Sequence, residues 1–278
     1  MRLLFWGSLL VIGIIGLSSC DFDDFLFNEK ELSKYQLPGN KIPETKIEEA
    51  KFKSGDNTLF GYWIKSNGAE PNITLLYCHG NKYNIDNYWD RVNIFYELGV
   101  NVFIFDYRGF GMSEGKSSEK SLYEDAEAAL DYILSRKEVE RDSICFYGYS
   151  LGNVASIQLA ADVFNPLCLV AESPFASANS LTQSSLVLDI PEGWLTEGKY
   201  DNAEKIKYIH TPFLLIHGED DDFVRYKDNG KIVFNNAPNP KKLLLIPGAN
   251  HTDIPYKTGK EKYLNELGSW IKFAKSAK

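Results

Sequence analysis

The run Gly148-Tyr149-Ser150-Leu151-Gly152 sets one serine between two glycines. It follows an apolar run at 143–147 and precedes an apolar helical pattern over 154–161. A sharp strand-to-helix turn needs small residues on both flanks. Strand and helix then approach closely, and the serine stands strained and exposed at the helix N-terminus. A hydroxyl held there suits nucleophilic attack, provided a base accepts its proton and an acid orients the base.

There are four histidines to choose from. His79 and His217 each directly precede a glycine at the end of an apolar run, and His210 stands at the entrance to one. His251 follows Pro247-Gly248-Ala249-Asn250, just past the run 243–246. Where the order is serine, acid, histidine, only His251 lies after a candidate acid at a strand end, so it is the predicted base. The acid is expected after 213–216, where the chain reads His217-Gly218-Glu219-Asp220-Asp221-Asp222-Phe223-Val224. One of these carboxylates must face the imidazole while its neighbours face solvent or cap the next helix. Glu172, after 167–171, is the second choice. The acidic run lacks the spacing of a calcium loop, and no metal or cofactor is expected. An oxyanion needs two fixed donors. The backbone N–H of Leu151 is one candidate, and that of Asn81 in His79-Gly80-Asn81, after 73–78, is the other.

These residues sit at the ends of short apolar runs at 73–78, 100–105, 143–147, 167–171, 213–216 and 243–246, each with the character of a buried parallel strand. Helical patterns lie between them, clearest in Leu122, Ala126, Ala129, Leu130, Ile133 and Leu134 at spacings of three and four. Residues 47–53 and 58–65 flank Ser54-Gly55-Asp56-Asn57 and read as a β-hairpin. Strands alternating with helices predict an α/β fold with a mostly parallel sheet covered on both faces, and a ligand site at the carboxyl ends of the strands.

The chain has 278 residues, 44 % hydrophobic and 24 % charged, which excludes a mostly disordered protein. Its net charge of −8 excludes a nucleic-acid partner, which would need a basic face. The N-terminus departs from this average. Met1–Cys20 carries one arginine, an uncharged apolar run over 3–17, and then Ser18-Ser19-Cys20. That run is short for a membrane span and suits a secretory signal. The ending resembles a bacterial lipobox, which implies a signal peptide at 1–19, lipid attachment at Cys20 and a lipoprotein anchored to a membrane of the cell envelope. An uncleaved N-terminal anchor is the other reading. Residues 20–43 form the tether, and Phe22, Phe25 and Phe27 in it are expected to pack on the domain. Cys78, Cys145 and Cys168 fall within predicted strands and read as core thiols.

From about Leu26 onward the chain resembles the α/β-hydrolase fold. The stretches that carry the likeness are His79-Gly80-Asn81, Asp106-Tyr107-Arg108-Gly109-Phe110-Gly111-Met112-Ser113-Glu114-Gly115, the Gly148–Gly152 elbow, Glu172-Ser173-Pro174-Phe175, Gly218-x-x-Asp221-x-x-Val224 and Gly248-Ala249-Asn250-His251. Within that superfamily it is most similar to small-lid serine hydrolases, whose members include lysophospholipid lipases, monoglyceride lipases and depalmitoylating thioesterases. The resemblance implies an eight-stranded, mostly parallel sheet over 44–278 with a short lid at about 173–209. The family's acid stands three residues after the glycine, which selects Asp221, and its nucleophile and base fall on Ser150 and His251. Arg108 is implied to anchor its own loop. Two departures stand out: Asn153 where the family often has glycine after the elbow, and Lys82-Tyr83 where small residues often follow the oxyanion loop.

The expected chemistry is acyl transfer from an ester or thioester to water, by a monomer at a membrane. Leu181, Leu186, Val187, Leu188, Ile190, Trp194 and Leu195 would line an acyl pocket or pack on the sheet. Tyr263, Leu264, Leu267, Trp270, Ile271 and Phe273 are expected to be core. Two other readings share the scaffold: a serine peptidase and a non-catalytic binding lipoprotein.

Overall fold

In the computed structural model, residues 26–68, 70, 72–187 and 200–277 are described. The signal segment, Cys20, Phe22, Phe25 and the lid residues Leu188, Ile190, Trp194 and Leu195 lie outside them. The strands are β1 (Asn28–Glu29), β2 (Ile47–Ser54), β3 (Asn57–Ile64), β4 (Thr74–Cys78), β5 (Lys82–Tyr83), β6 (Asn101–Phe105), β7 (Ile144–Tyr149), β8 (Cys168–Glu172), β9 (Phe213–Gly218) and β10 (Lys241–Ile246). The α-helices are α1 (Trp89–Glu97), α2 (Glu119–Leu134), α3 (Gly152–Gln158), α4 (Ala178–Ser184), α5 (Asn202–Lys205), α6 (Gly230–Asn236), α7 (Ile254–Thr258) and α8 (Lys260–Ser276).

Eight strands form one sheet in the order β10-β9-β8-β7-β4-β6-β3-β2. Only the pairings of β3, with β2 and with β6, are antiparallel. The fold is that of an α/β hydrolase, as its residue pattern implies. The predicted runs coincide with the strands to within two residues at each end. The hairpin turn is tighter than the four residues read from sequence, because Ser54 and Asn57 themselves pair and leave Gly55-Asp56 as the turn. One small element was not foreseen. β1 pairs in parallel with β5 and ties the segment before the domain to the loop after β4. Two-residue strands leave no periodicity to read.

The chain steps from β4 to β6 on one side, then returns to place β7 on the other side of β4. Such a reversal opens a crevice at the carboxyl ends of the two strands. Alternation within the strands fills both faces. Leu76 and Cys78 pack with Leu122, Ala126 and Ile133 of α2 and Val154 of α3, while Leu75 and Tyr77 pack with Val92 and Phe95 of α1 and Leu267 of α8. Helix α2 starts at a capping box in which Ser118 and Ser121 each bond the other's backbone N–H. On α8, Tyr263, Leu267, Trp270 and Ile271 are buried and Leu264 partly so. Phe273 is a correction, since it is 42 % exposed. It stacks on Trp270 at 4.9 Å from the outside of the core.

Candidate active site

Ser150 follows β7 directly and adopts φ +51°. Non-glycine residues rarely take that conformation, and it persists only where surroundings impose it. Here the neighbours impose it. A Cβ on Gly148 would stand 2.3 Å from Ser156 Oγ, and one on Gly152 would stand 2.0 Å from the Cys78 carbonyl oxygen. Helix α3 therefore lies hard against the ends of β7 and β4. The Ser150 N–H donates to the Glu172 carbonyl (3.0 Å), and the Asn153 N–H donates to the Ser150 carbonyl (3.0 Å). Asn153, the departure from the family pattern, adds two more bonds. Its Nδ2 donates to the Ser150 carbonyl (3.0 Å) and the Glu172 carbonyl (2.8 Å). The elbow is thus stitched to β8 by a side chain that glycine would lack.

Ser150 Oγ lies 3.0 Å from His251 Nε2, and His251 Nδ1 lies 2.8 Å from Asp221 Oδ2. Of the four acids after β9, Glu219 and Asp220 are exposed and Asp222 is half-buried, whereas Asp221 is buried. Its Oδ1 accepts from the N–H groups of Phe223 (3.1 Å) and Val224 (2.7 Å), which aims Oδ2 at the imidazole. Burial alone would raise the Asp221 pKa. The charge and hydrogen bond of His251, with His217 and the Val224 N–H, outweigh it and hold the carboxyl below its ordinary value. The Phe223 ring meets His251 edge-on at 5.0 Å.

The other three histidines are elsewhere. His210 is exposed. His217 is buried behind the acid, with Nε2 2.7 Å from the Val224 carbonyl, and burial lowers its pKa. His79 is buried beneath the loop after β4. Its Nδ1 lies 2.7 Å from the Gly80 carbonyl, and its Nε2 lies 3.0 Å from Asp106 Oδ1 at an angle outside hydrogen-bond geometry. Glu172, the second-choice acid, does not reach His251. It is buried against Arg91, Tyr147 and Tyr263, with Arg91 Nη1 2.5 Å from Oε1 and the Tyr263 hydroxyl 2.7 Å from Oε2.

Asn81 and Leu151 flank this centre. Among the described residues neither backbone N–H donates to a protein acceptor. A cavity of about 230 Å³ opens beside Ser150 and His251, lined also by Gly80, Asn81, Lys82, Arg91 and Tyr149. A larger surface cavity of about 380 Å³ between α1 and α8 holds Glu70, Glu97, Glu261, Lys272 and Lys275 but no nucleophile beside a base. Of these two cavities, the smaller one holds a serine beside a histidine.

Arg108 anchors its loop, as the family likeness implies. Its guanidinium meets Asp125 Oδ1 at 2.7 and 2.9 Å while its N–H donates to Oδ2 at 2.8 Å. Cys78, Cys145 and Cys168 are free and buried, and burial pushes the Cys78 thiol pKa up. That keeps it protonated and unreactive. Sequence reading did not foresee the contacts of Arg91, Tyr147 and Tyr263 with Glu172, or that of Arg91 with the Tyr149 ring. The available signal was Glu172 itself, an acid at the inner end of an apolar strand, which must find a partner when buried.

The sequence profile described as "Serine aminopeptidase, S33" matches residues 69–190. YfhR of Escherichia coli O157:H7 is 31 % identical over 258 residues, 89 % of each chain. Alpha/beta hydrolase domain-containing protein 17B of Homo sapiens is 30 % identical over 197 residues, 67 % of this chain and 63 % of its own length. Among solved structures, the esterase Pf2001 of Pyrococcus furiosus superposes with a TM-score of 0.68 at 21 % identity, over 88 % of this chain and 98 % of its own. The chain belongs to the same family as YfhR, and its fold is that of the α/β hydrolases.

Proposed function

We propose that this protein hydrolyses carboxylic esters or thioesters through an acyl-enzyme on Ser150. The observation that carries the reading is the chain of two contacts, Ser150 Oγ to His251 Nε2 at 3.0 Å and His251 Nδ1 to Asp221 Oδ2 at 2.8 Å, at the edge of a cavity. Ser150 Oγ attacks the carbonyl carbon and its proton passes to His251 Nε2. The C–O or C–S bond breaks, and the leaving alcohol or thiol takes that proton. Water then repeats the sequence on the acyl-enzyme, with His251 again the base, and frees the acid. Asp221 holds the imidazole in the tautomer with the proton on Nδ1 and stabilises the imidazolium.

The N–H groups of Asn81 and Leu151 hold the oxyanion in this reading. A trans peptide points its C=O and N–H in opposite directions. The Gly80 carbonyl faces the buried His79 ring, so the Asn81 N–H of the same peptide faces away from the core, toward the cavity. Leu151 precedes α3, whose N-terminal dipole adds positive potential at the same point.

A serine peptidase is the second reading, favoured by the name of the matching family profile. An aminopeptidase needs a free carboxylate for the substrate's α-amine. Among the described residues the acid lining the cavity is Asp90, whose Oδ2 accepts from the Tyr256 hydroxyl at 2.6 Å, and Lys82 lines the same rim, where it repels a cationic α-amine. Membrane anchoring through lipidated Cys20 is part of the proposal and is supported by the pattern of 1–20. Metabolic labelling with palmitate, lost in Cys20→Ala, tests it.

Turnover of p-nitrophenyl esters from acetate to palmitate, of acyl thioesters and of aminoacyl anilides tests the class of reaction. The expected result is hydrolysis of short esters or thioesters, abolished by Ser150→Ala. Cleavage of the anilides alone, or full ester turnover by Ser150→Ala, overturns the reading.

A further inference from the structure

The nucleophile and the base come from loops 101 residues apart, and their separation must be held to a few tenths of an ångström. Side chains beyond the three catalytic candidates close a ring around this gap. Tyr149, the residue before Ser150, donates its hydroxyl to the main-chain carbonyl of His251 at 3.1 Å. The Arg91 guanidinium lies over the Tyr149 ring, 4.8 Å from its centroid. One Arg91 nitrogen lies 3.5 Å from the Thr252 carbonyl, the residue after the base, and another lies 2.5 Å from Glu172 Oε1. The Glu172 main-chain carbonyl in turn accepts from the Ser150 N–H at 3.0 Å. The circuit runs from Ser150 through Tyr149, the His251–Thr252 backbone, Arg91 and Glu172, and back to Ser150.

We propose that Tyr149 and Arg91 are positioning residues that act as one strut between the nucleophile elbow and the histidine loop. The inference rests on Ser150 and His251 being nucleophile and base. Each member is built for this task. Arg91 is 3 % exposed, and its planar fork can face a carboxylate, a carbonyl and a ring at once. Glu172 is wholly buried, and the hydroxyls of Tyr147 and Tyr263 satisfy its second oxygen, which frees the first for Arg91. Tyr149 occupies the variable position of the elbow, where the turn itself demands no particular side chain. Its hydroxyl is 102 residues from its acceptor.

A double-mutant cycle on kcat of the full chain tests the strut, with Tyr149→Phe and Arg91→Lys. Tyr149→Phe removes one hydroxyl and keeps the ring. Arg91→Lys keeps the charge opposite Glu172, so the fold is retained, and loses the planar stack and the fork. Each single variant is expected to lower kcat about tenfold, the scale of one lost hydrogen bond, with KM changed by less than about twofold. The double variant is expected to match the worse single, because both act through one device. Single effects that multiply in the double variant overturn the proposal. So does a kcat per folded molecule that neither variant alters, with folding followed by thermal melts. A rise in KM on Arg91→Lys that Tyr149→Phe does not share overturns it too, since Arg91 would then bind substrate. Ser150→Ala in the same assay separates the failures. Turnover that survives it overturns the nucleophile and the strut together, whereas turnover lost with Ser150 but untouched by the other two overturns the strut alone.

Discussion

Gly152→Ala is the smallest change that bears on how the elbow is built. A Cβ at this position would stand 2.0 Å from the Cys78 carbonyl oxygen and 2.6 Å from that of His79. Ordinary contact begins at 3.4 Å, so helix and strand must part by about 1.4 Å, the difference between 3.4 and 2.0. Both neighbours are backbone, and neither can rotate away. The segment that yields leads straight into Gly80-Asn81, and the residue that pushes it follows Leu151. The two proposed oxyanion donors therefore separate, while the Ser150–His251 contact is left largely in place. Misplacement on this scale costs about 10² in rate, close to the loss of one oxyanion donor, about 10²–10³ in kcat. Overpacking adds about 1–3 kcal/mol of destabilisation, worth several degrees in thermal midpoint for a domain of this size. Steady-state hydrolysis of p-nitrophenyl acetate, normalised to the folded fraction, reads the first effect and a thermal melt reads the second. Gly268→Ala is the control, since its Cβ would meet only Leu98 Cδ1 at 3.4 Å in the middle of α8. It should leave activity intact and raise stability by about 0.5–1 kcal/mol. If Gly152→Ala keeps kcat within about twofold of wild type, the reasoning that links this contact to oxyanion geometry is refuted.

Three more outcomes follow from the same contacts. Because the Asp221 carboxyl is held below its unfolded value of 3.8, its contribution to stability is present above that value and is lost as pH falls through the lower folded one. Urea midpoints measured between about pH 5 and pH 3 should therefore fall less steeply in Asp221→Asn than in wild type, and identical slopes would contradict the linkage. Asp125→Ala strips Arg108 of its main partner, leaves it Glu124, and should cost about 1–3 kcal/mol of stability. Because that pair stands apart from the triad, KM and kcat per folded molecule should not change, and an activity loss beyond the folding loss would show a role that the loop geometry does not explain. Cys78, Cys145 and Cys168 should resist a thiol reagent in the native protein and react together on unfolding, whereas rapid native labelling of Cys78 would contradict its burial.

The serine elbow was legible because its demands are local. A positive φ beside a tight helix approach leaves few residue types, and they fall within five positions. His251 could be reached by elimination, because four histidines at known strand ends leave little to choose from. Asp221 could not be picked from its three acidic neighbours by composition or spacing. Only the family likeness selected it. What sets it apart physically is burial and two backbone N–H donors that depend on how the loop folds. Asn153 was visible as a departure, but its bond to the Glu172 carbonyl of β8 is tertiary and left no trace in the sequence. The Arg91–Glu172–Tyr147–Tyr263 cluster draws on four elements, with partners 81, 25 and 91 residues from Glu172, so no window of sequence contains it. Phe273 was misread for the opposite reason. Its helical spacing is right, but it falls at the rim of the apolar stripe, where α8 turns to solvent.

Covalent labelling with a fluorophosphonate distinguishes a serine activated by a base from a serine that only sits in a turn. The full chain is treated with the reagent, and the modified residue is located by peptide mass spectrometry. A single adduct on Ser150 is expected, absent from Ser150→Ala and formed much more slowly in His251→Ala. An adduct on another residue, or equal labelling of wild type and Ser150→Ala, would contradict an activated Ser150.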